Sequence, residues 1–183
     1  MIFGKSHMSK EKDLEGIEDN LTYDPITGVF KYKTRKGRKN KDLVATSKDS
    51  HGYIRVSYKG RRYLGHRVAF YIMRGYWPKE DVDHIDGNRL NNKWSNLREA
   101  SRSQNLWNQK RTRGASKYKG VAKHQKGWVA QIGRGPNRYL GRFTSEAEAG
   151  LSYNYAAEKD FGPFARFNQV FEDVHQGVLY VET

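Results

Sequence analysis

The sequence predicts an α+β protein: an N-terminal β-rich region leads into a β-loop-β-α unit, and a three-stranded antiparallel sheet packed on one helix follows. Three observations predict it. Gly52-Tyr53-Ile54-Arg55-Val56-Ser57-Tyr58 alternates with period two, and helical spacing takes over at Val68, Tyr71 and Ile72. The stretch 81–110 holds two short strand patterns, a turn-rich loop and a helix start. Beyond it, three strand-like runs separated by glycines precede an alanine-rich helix. A length of 183 residues suits one medium domain or two to three small modules. The expected division is a flexible segment over 1–19, a first domain over 20–110, a basic linker over 111–117, a second domain over 118–168 and a tail over 169–183. Ser6-His7-Met8 reads as a cloning remnant, which makes Met8 the expected native start.

The elements follow in order. Tyr23-Asp24-Pro25-Ile26-Thr27-Gly28-Val29-Phe30 is a turn feeding a strand, and Lys59-Gly60 is a hairpin turn before Arg62-Tyr63-Leu64. The helix through Val68, Tyr71 and Ile72 ends near Gly75 and Pro78. Asp81 to Ile85 suits a strand, Asp86-Gly87-Asn88 a turn, and Asn96-Leu97-Arg98 a second strand. Ser101-Arg102-Ser103-Gln104 is a capping box that opens a helix through about Lys110. Lys119 to Ala122, Trp128 to Ile132 and Arg138 to Phe143 read as three strands. Ser145 with Glu148 caps a final helix that Gly162-Pro163 terminates.

Composition narrows the function. A hydrophobic fraction of 36% and a mean hydropathy of −0.95 give small cores, while 13% aromatics argue against wholesale disorder. No run approaches the roughly 18 apolar residues of a membrane span, so no membrane association is expected. The absence of cysteine excludes disulfides and Cys-ligated zinc. The net charge of +14 is concentrated. Ala100 to Ser145 carries eleven basic residues and Phe30 to Lys41 seven, with no acid in either stretch. The rest of the chain has 16 basic and 20 acidic residues, a net of −4. A solubilising surface mixes the signs, whereas segregated positive charge is the footprint of a phosphate-binding surface. The run Lys31 to Lys41 reads equally as a phosphate-tracking loop and as a plain exposed loop.

The chemistry concentrates in Asp83-His84-Ile85-Asp86-Gly87-Asn88, Asn96-Leu97-Arg98 and Gln104-Asn105. Phosphodiester hydrolysis needs a base to activate water, and charge neutralisation at the phosphate and the leaving 3′ oxygen. Adjacent residues at a strand end point to opposite sides, so Asp83 can hold a hard metal ion while His84 holds a water. Asn105, early in the following helix, can complete the metal site with a neutral oxygen. Two oxygen side chains plus waters and phosphate suit one Mg²⁺ per chain, with Mn²⁺ as the alternative. An EF-hand reading fails, because Asp86 falls where that loop requires glycine.

This stretch closely resembles the HNH nuclease motif, in the Asp-His…Asn…Asn form of phage homing endonucleases. The resemblance implies a ββα-metal unit over 81–110 with Asp83 and Asn105 as metal ligands and His84 as general base. It matches Asn96 to the middle asparagine, which braces the loop and orients the histidine. Gly52-Tyr53 and His66-Arg67 also resemble what precedes the motif in such proteins. Many members have histidine where this chain has Asn105, which makes this site richer in oxygen. The phage setting implies the cytoplasm of an infected bacterium.

Tyr118-Lys119-Gly120-Val121, Trp128-Val129-Ala130-Gln131-Ile132, Tyr139-Leu140-Gly141-Arg142-Phe143 and Glu146-Ala147-Glu148-Ala149 resemble the AP2/ERF DNA-binding domain, to Ala165-Arg166-Phe167-Asn168. In that family a three-stranded sheet backed by a helix lies in the major groove. Alternation buries Trp128, Ala130 and Ile132 against the helix and turns Val129, Gln131 and Gly133 outward. The resemblance implies Lys119, His124, Gln131, Asn137, Tyr139 and Arg142 on the DNA face. Arg134 and Arg138, with Arg111 and Arg113 of the linker, are expected to add DNA contacts. Ala122 and Gly133 stand where family members often carry long basic side chains, so base preference is not inherited.

The expected protein is therefore a metal-dependent endonuclease that recognises a site in double-stranded DNA. The rival is a DNA-binding regulator that keeps an inactive HNH scaffold; a nonspecific nuclease is a third reading. No heptad or long apolar stripe is present, so a monomer that nicks one strand first is expected, with no obligatory protein partner.

Overall fold

The computed structural model describes residues 14–33, 44, 46–110, 114–133 and 137–170. The cloning remnant, Arg111, Arg113, Arg134, residues 34–41 of the basic run and residues 171–183 of the tail lie outside the described residues. The chain is a mixture of helices and small antiparallel sheets, compatible with the α+β expectation. It divides into two compact units between Asn105 and Leu106, not at the linker 111–117.

The first unit opens with a hairpin of β1 (Leu21–Asp24) and β2 (Val29–Tyr32), Leu21 opposite Tyr32. Asp24 Oδ1 accepts from the Ile26 and Thr27 amides at 2.9 and 3.3 Å, an Asx-type turn. A second sheet pairs β3 (Thr46–Lys48), β4 (Ile54–Tyr58) and β5 (Arg61–Leu64), with β4 in the centre. Helix α1 (Gly65–Arg74) follows directly and stops at left-handed Gly75, whose amide donates to Tyr71 O. Val68, Ala69 and Phe70 of α1 pack with Phe30, Val56, Trp77, Val82 and Leu97 in one core. Residues 14–19 depart from the flexible segment expected over 1–19. Leu14 and Ile17, three residues apart, are both fully buried in that core, and a 3₁₀ turn spans Ile17–Asp19.

β6 (Asp81–His84) and β7 (Leu97–Ala100) form a two-stranded ladder pairing Asp83 with Arg98 and His84 with Leu97. α2 (Arg102–Trp107) then starts from the expected capping box. Ser101 N donates to Gln104 Oε1 at 2.8 Å and Gln104 N to Ser101 Oγ at 3.3 Å. It ends at Trp107 rather than Lys110, closing through a Gln109 N to Leu106 O bond over a buried Asn108.

In the second unit β8 (Val121–His124), β9 (Gly127–Ile132) and β10 (Arg138–Phe143) form an antiparallel sheet with β9 central. α3 (Glu146–Phe161) lies on it, opened by the Ser145–Glu148 capping box and followed by Gly162. Ala130 and Ile132 are buried as alternation predicts, and Trp128 is half-buried. β8 starts two residues later than the Lys119 start that the sequence suggests. The Asn168 side chain occupies both Lys119 backbone groups, accepting from its amide at 2.6 Å and donating to its carbonyl at 3.0 Å. Gly120, at φ 75°, then turns the chain. A Cβ there would lie 2.0 Å from Tyr153 Cδ2 and 2.6 Å from Gln131 O. Gly120→Ala should therefore destabilise the protein by roughly 2–4 kcal/mol, combining strain at positive φ with overpacking. Urea unfolding checks this; a loss under about 1 kcal/mol would mean that the β8–α3 approach relaxes cheaply.

Candidate active site

The loop between β6 and β7 has no regular ladder of its own, and side chains hold it instead. Asn96 is 8% exposed. Its Oδ1 accepts from Asp86 N at 3.0 Å, and its Nδ2 donates to Asp86 Oδ1 at 2.9 Å and Asn91 O at 2.8 Å. Asp86 also accepts from Asn88 N at 2.7 Å and Asn91 Nδ2 at 2.7 Å. Burial pushes the Asp86 carboxyl up, but the hydrogen bonds from Asn91, Asn88 and Asn96 outweigh it and hold the group below its ordinary value. The loop thus closes on a carboxylate and an amide that satisfy each other.

His84 sits on the last ladder pair of β6, only 4% exposed. Its Nε2 lies 3.0 Å from Asn92 Oδ1. Its ring meets His66 edge-on at 4.9 Å between centroids, with Tyr53 at 6.3 Å. Burial lowers the imidazole below its ordinary value, against opposing pulls from Asn92, Asp86 and Asp83. A lowered value keeps the ring neutral and able to accept a proton near neutral pH.

Asp83 occupies the other face of β6 and is 6% exposed. Its Oδ2 accepts from Arg98 Nε at 3.1 Å and a terminal Arg98 nitrogen at 2.9 Å, across the ladder. Asn105, in α2, donates to Asp81 Oδ2 at 3.4 Å. Asp81 and Asp83 share a face by alternation, so Asp81, Asp83 and Asn105 bring three oxygen-bearing side chains to one side of the strand. This donor chemistry fits a hard divalent cation that keeps water or phosphate in its remaining positions. Among the described residues no three His, Cys, Asp or Glu side chains form a closed metal cage. Arg98 compensates the Asp83 carboxylate, so a cation held there would share that oxygen with the guanidinium.

A cleft of about 390 Å³ opens beside these residues, lined by His66, Arg67, Asp81 and Asn105 and, from the preceding sheet, Tyr53 and Arg55. His66 is 5% exposed, and among the described residues its Nδ1 has no hydrogen-bond partner. Arg67 donates to the Pro78 and Glu80 carbonyls at 2.7 and 3.0 Å and stacks on Trp77. Sequence reasoning noted His66-Arg67 only as a flanking pattern, and it missed Asp81, Asn92 and Arg98. The doubled Asn91-Asn92 inside a turn-rich loop was the available signal for Asn92.

On the second unit's sheet, Tyr139 stands opposite Gln131 and Arg142 opposite Val129, and His124, Gln131, Asn137, Tyr139 and Arg142 are all exposed. Arg142 donates to His124 Nδ1, and to Gln125 Oε1 at 3.0 Å. Arg138, also expected to contact DNA, is exposed and has a partner within the unit. It stands opposite the buried Ile132, on the helix side of the sheet, and pairs with Asp160 of α3. The Lys119 ammonium donates to Trp107 O.

Residues 63–106, the segment that carries Asp83, His84, Asn96 and Asn105, match the HNH endonuclease family. Two relatives extend the similarity. One is an uncharacterized HNH endonuclease of Acanthamoeba polyphaga mimivirus, 36% identical over 119 residues that cover 63% of this chain and 62% of that protein. The other is the DNA endonuclease I-HmuI of Bacillus phage SP01, 34% identical over 119 residues that cover 61% and 65%. The chain thus spans less than two thirds of the length of either relative. Among the described residues no helix is long and apolar enough to cross a membrane.

The buried His66 has a pH consequence. Burial, then the neighbouring His84, Arg67 and Arg55, hold its imidazole well below the ordinary histidine value of about 6.5. The unfolded chain therefore binds more protons, so this stability is complete above about pH 6.5 and declines as pH falls below it. Thermal midpoints should drop between pH 7.5 and 5.5, and His66→Phe should flatten the drop. An equally steep fall in that variant would assign the proton uptake to other groups.

Proposed function

We propose that the protein is a divalent-metal-dependent DNA endonuclease that cuts at a recognised site in double-stranded DNA. The observation that carries this reading is the coincidence of the HNH family match over 63–106 with a hydrogen-bonded Asp83-His84…Asn96…Asn105 constellation whose first three members are buried. The 34% identical DNA endonuclease of a Bacillus phage supports DNA as the substrate.

In this reading the β6–loop–β7–α2 segment acts as the ββα-metal unit. Asp83 and Asn105 hold one divalent ion, Mg²⁺ or Mn²⁺, with Asp81 beside them. When bound, the ion neutralises charge on the scissile phosphate and on the leaving 3′ oxygen. His84 takes a proton from the attacking water, the new bond forms between that oxygen and phosphorus, and the P–O3′ bond breaks. Asn96 keeps the loop closed so that His84 stays at the end of the strand. The second unit acts as an AP2/ERF-like reader, with His124, Gln131, Asn137, Tyr139 and Arg142 toward the groove and Lys119 at its margin. Arg111, Arg113 and Arg134 add phosphate contacts by charge alone.

His84→Ala should reduce single-turnover cleavage at least about 10²-fold while DNA affinity stays within a few-fold, because base catalysis and phosphate affinity reside in different groups. A variant that cuts near the wild-type rate would remove His84 from the mechanism. Arg142→Ala should weaken binding to the preferred site by roughly 1–3 kcal/mol and lower the salt slope of log K by about 1 if the guanidinium meets phosphate. Fluorescence anisotropy across a salt series reads both; unchanged affinity and slope would take the sheet face out of the interface.

A further inference from the structure

His84 can act as a base only if one ring nitrogen carries the lone pair at the right place, and a residue other than Asn96 governs that choice. Asn92 is 1% exposed, and its Oδ1 lies 3.0 Å from His84 Nε2. A carboxamide oxygen only accepts, so the contact requires a proton on Nε2 and leaves Nδ1 as the lone-pair nitrogen. The Asn92 backbone, from which that carboxamide projects, is held from outside the HNH-matched segment. Tyr23 of β1 donates its hydroxyl to Asn92 O at 2.6 Å, and Trp94 N donates to Pro25 O at 2.9 Å. Gly28, at φ 74°, approaches so closely that a Cβ would lie 2.5 Å from the Asn92 carbonyl carbon. Burial, then the neighbouring Asp24 carboxylate, push the Tyr23 hydroxyl well above its ordinary value, so it remains a protonated donor. On the other side, the Asn92 Nδ2 would stand 3.0 Å from a Cβ added at Gly65, the first residue of α1.

From this chain of contacts we infer that Asn92 is the positioning residue of His84, holding it in the Nε2–H tautomer, and that the β1–β2 hairpin holds Asn92. The inference rests on the nuclease reading for its catalytic meaning, but not for the contact itself. It gives the N-terminal hairpin, which lies before the matched segment, a role in the chemistry. Asn96 closes the loop around Asp86; Asn92, four residues earlier, sets the ring. In serine proteases an aspartate does the corresponding work, fixing the tautomer of a base without exchanging protons with substrate.

The test uses the full chain labelled with ¹⁵N. Long-range ¹H–¹⁵N spectra at pH 8 distinguish the two neutral imidazole tautomers, and a His84→Gln spectrum assigns the His84 signals among the six histidines. The wild type should show His84 as Nε2–H. Asn92→Leu, which removes the acceptor at similar volume, should mix the tautomers and lower kcat about 10²-fold with KM for DNA nearly unchanged. Asn92→Asp keeps an acceptor and should recover most of that loss. Tyr23→Phe, which leaves Asn92 in place but removes its outer anchor, should lower kcat several-fold. An Nδ1–H tautomer in the wild type would overturn the inference, as would a folded Asn92→Leu protein with wild-type kcat. If Asn92→Leu does not fold, the wild-type tautomer and the Asp and Phe variants still decide. A wild type that binds DNA but never cuts it would defeat the nuclease reading, and the tautomer would then judge the contact alone.

Discussion

The candidate site depends on one buried amide having every hydrogen bond it needs. The connection between β6 and β7 runs from Ile85 to Asn96, long for a hairpin loop, and its backbone polar groups would otherwise face each other unpaired. The Asn96 side chain answers two of them directly, Asp86 N and Asn91 O, and pins the Asp86 carboxylate, which answers a further amide at Asn88. Ile85 N donates to Asn96 O and Gly87 N to His84 O, so the same network ends the ladder at His84. Each buried group left unpaired costs about 1–3 kcal/mol, so loss of one partner spreads through the loop. The strand end that carries Asp83 and His84 is defined by that closure rather than by sheet pairing, which covers four residue pairs.

Electrostatics then separates the roles. His84 and Asp86 lie close in sequence, and both have values lowered from the ordinary ones, for different reasons. Desolvation disfavours a charged imidazole, while the hydrogen bonds to Asp86 favour the charged carboxylate. The outcome is a neutral ring near a persistent anion, the combination that lets a histidine accept a proton and then be stabilised as a cation. His66 reinforces it: a second buried ring packed edge-on against His84 excludes water from that side. The concentrated positive charge of the chain lies in two other stretches, Phe30 to Lys41 and Ala100 to Ser145, which hold no acid.

What the sequence made legible was local. Both capping boxes, the stop at Gly75 and the strand–loop–strand–helix order around Asp83 follow from residues within a few positions of each other. What it hid was long-range. β3, Thr46–Lys48, has no apolar alternation and exists because β4 offers it an edge. Leu14 and Ile17 looked like part of a charged, frayed segment because only two apolar positions mark them. The start of β8 depended on Asn168, forty-nine residues away. On β10, Tyr139 and Arg142 are an odd number of residues apart, so simple alternation would put them on opposite faces. A register shift between Tyr139 and Gly141, with Gly141 at φ 140°, resets the parity and returns both to one side. Arg138 precedes that shift and stays on the helix side with Asp160.

The pairing of Asp83 with Arg98 bears on how such a site can be both stable and receptive. A buried carboxylate without a counter-charge would be costly, and the guanidinium across the ladder supplies one through two hydrogen bonds to the same oxygen. On the proposed reading, a divalent cation held by Asp83 would compete with Arg98 for the same carboxylate, and the guanidinium would be suited to a phosphate oxygen. Alternation along β6 places Asp83 and His84 on opposite faces, so metal and base would meet only where the strand stops. They stand on the last two ladder pairs, beside a loop closed by Asn96, and on the proposed reading this strand end is where two opposite-facing side chains would bracket one phosphate.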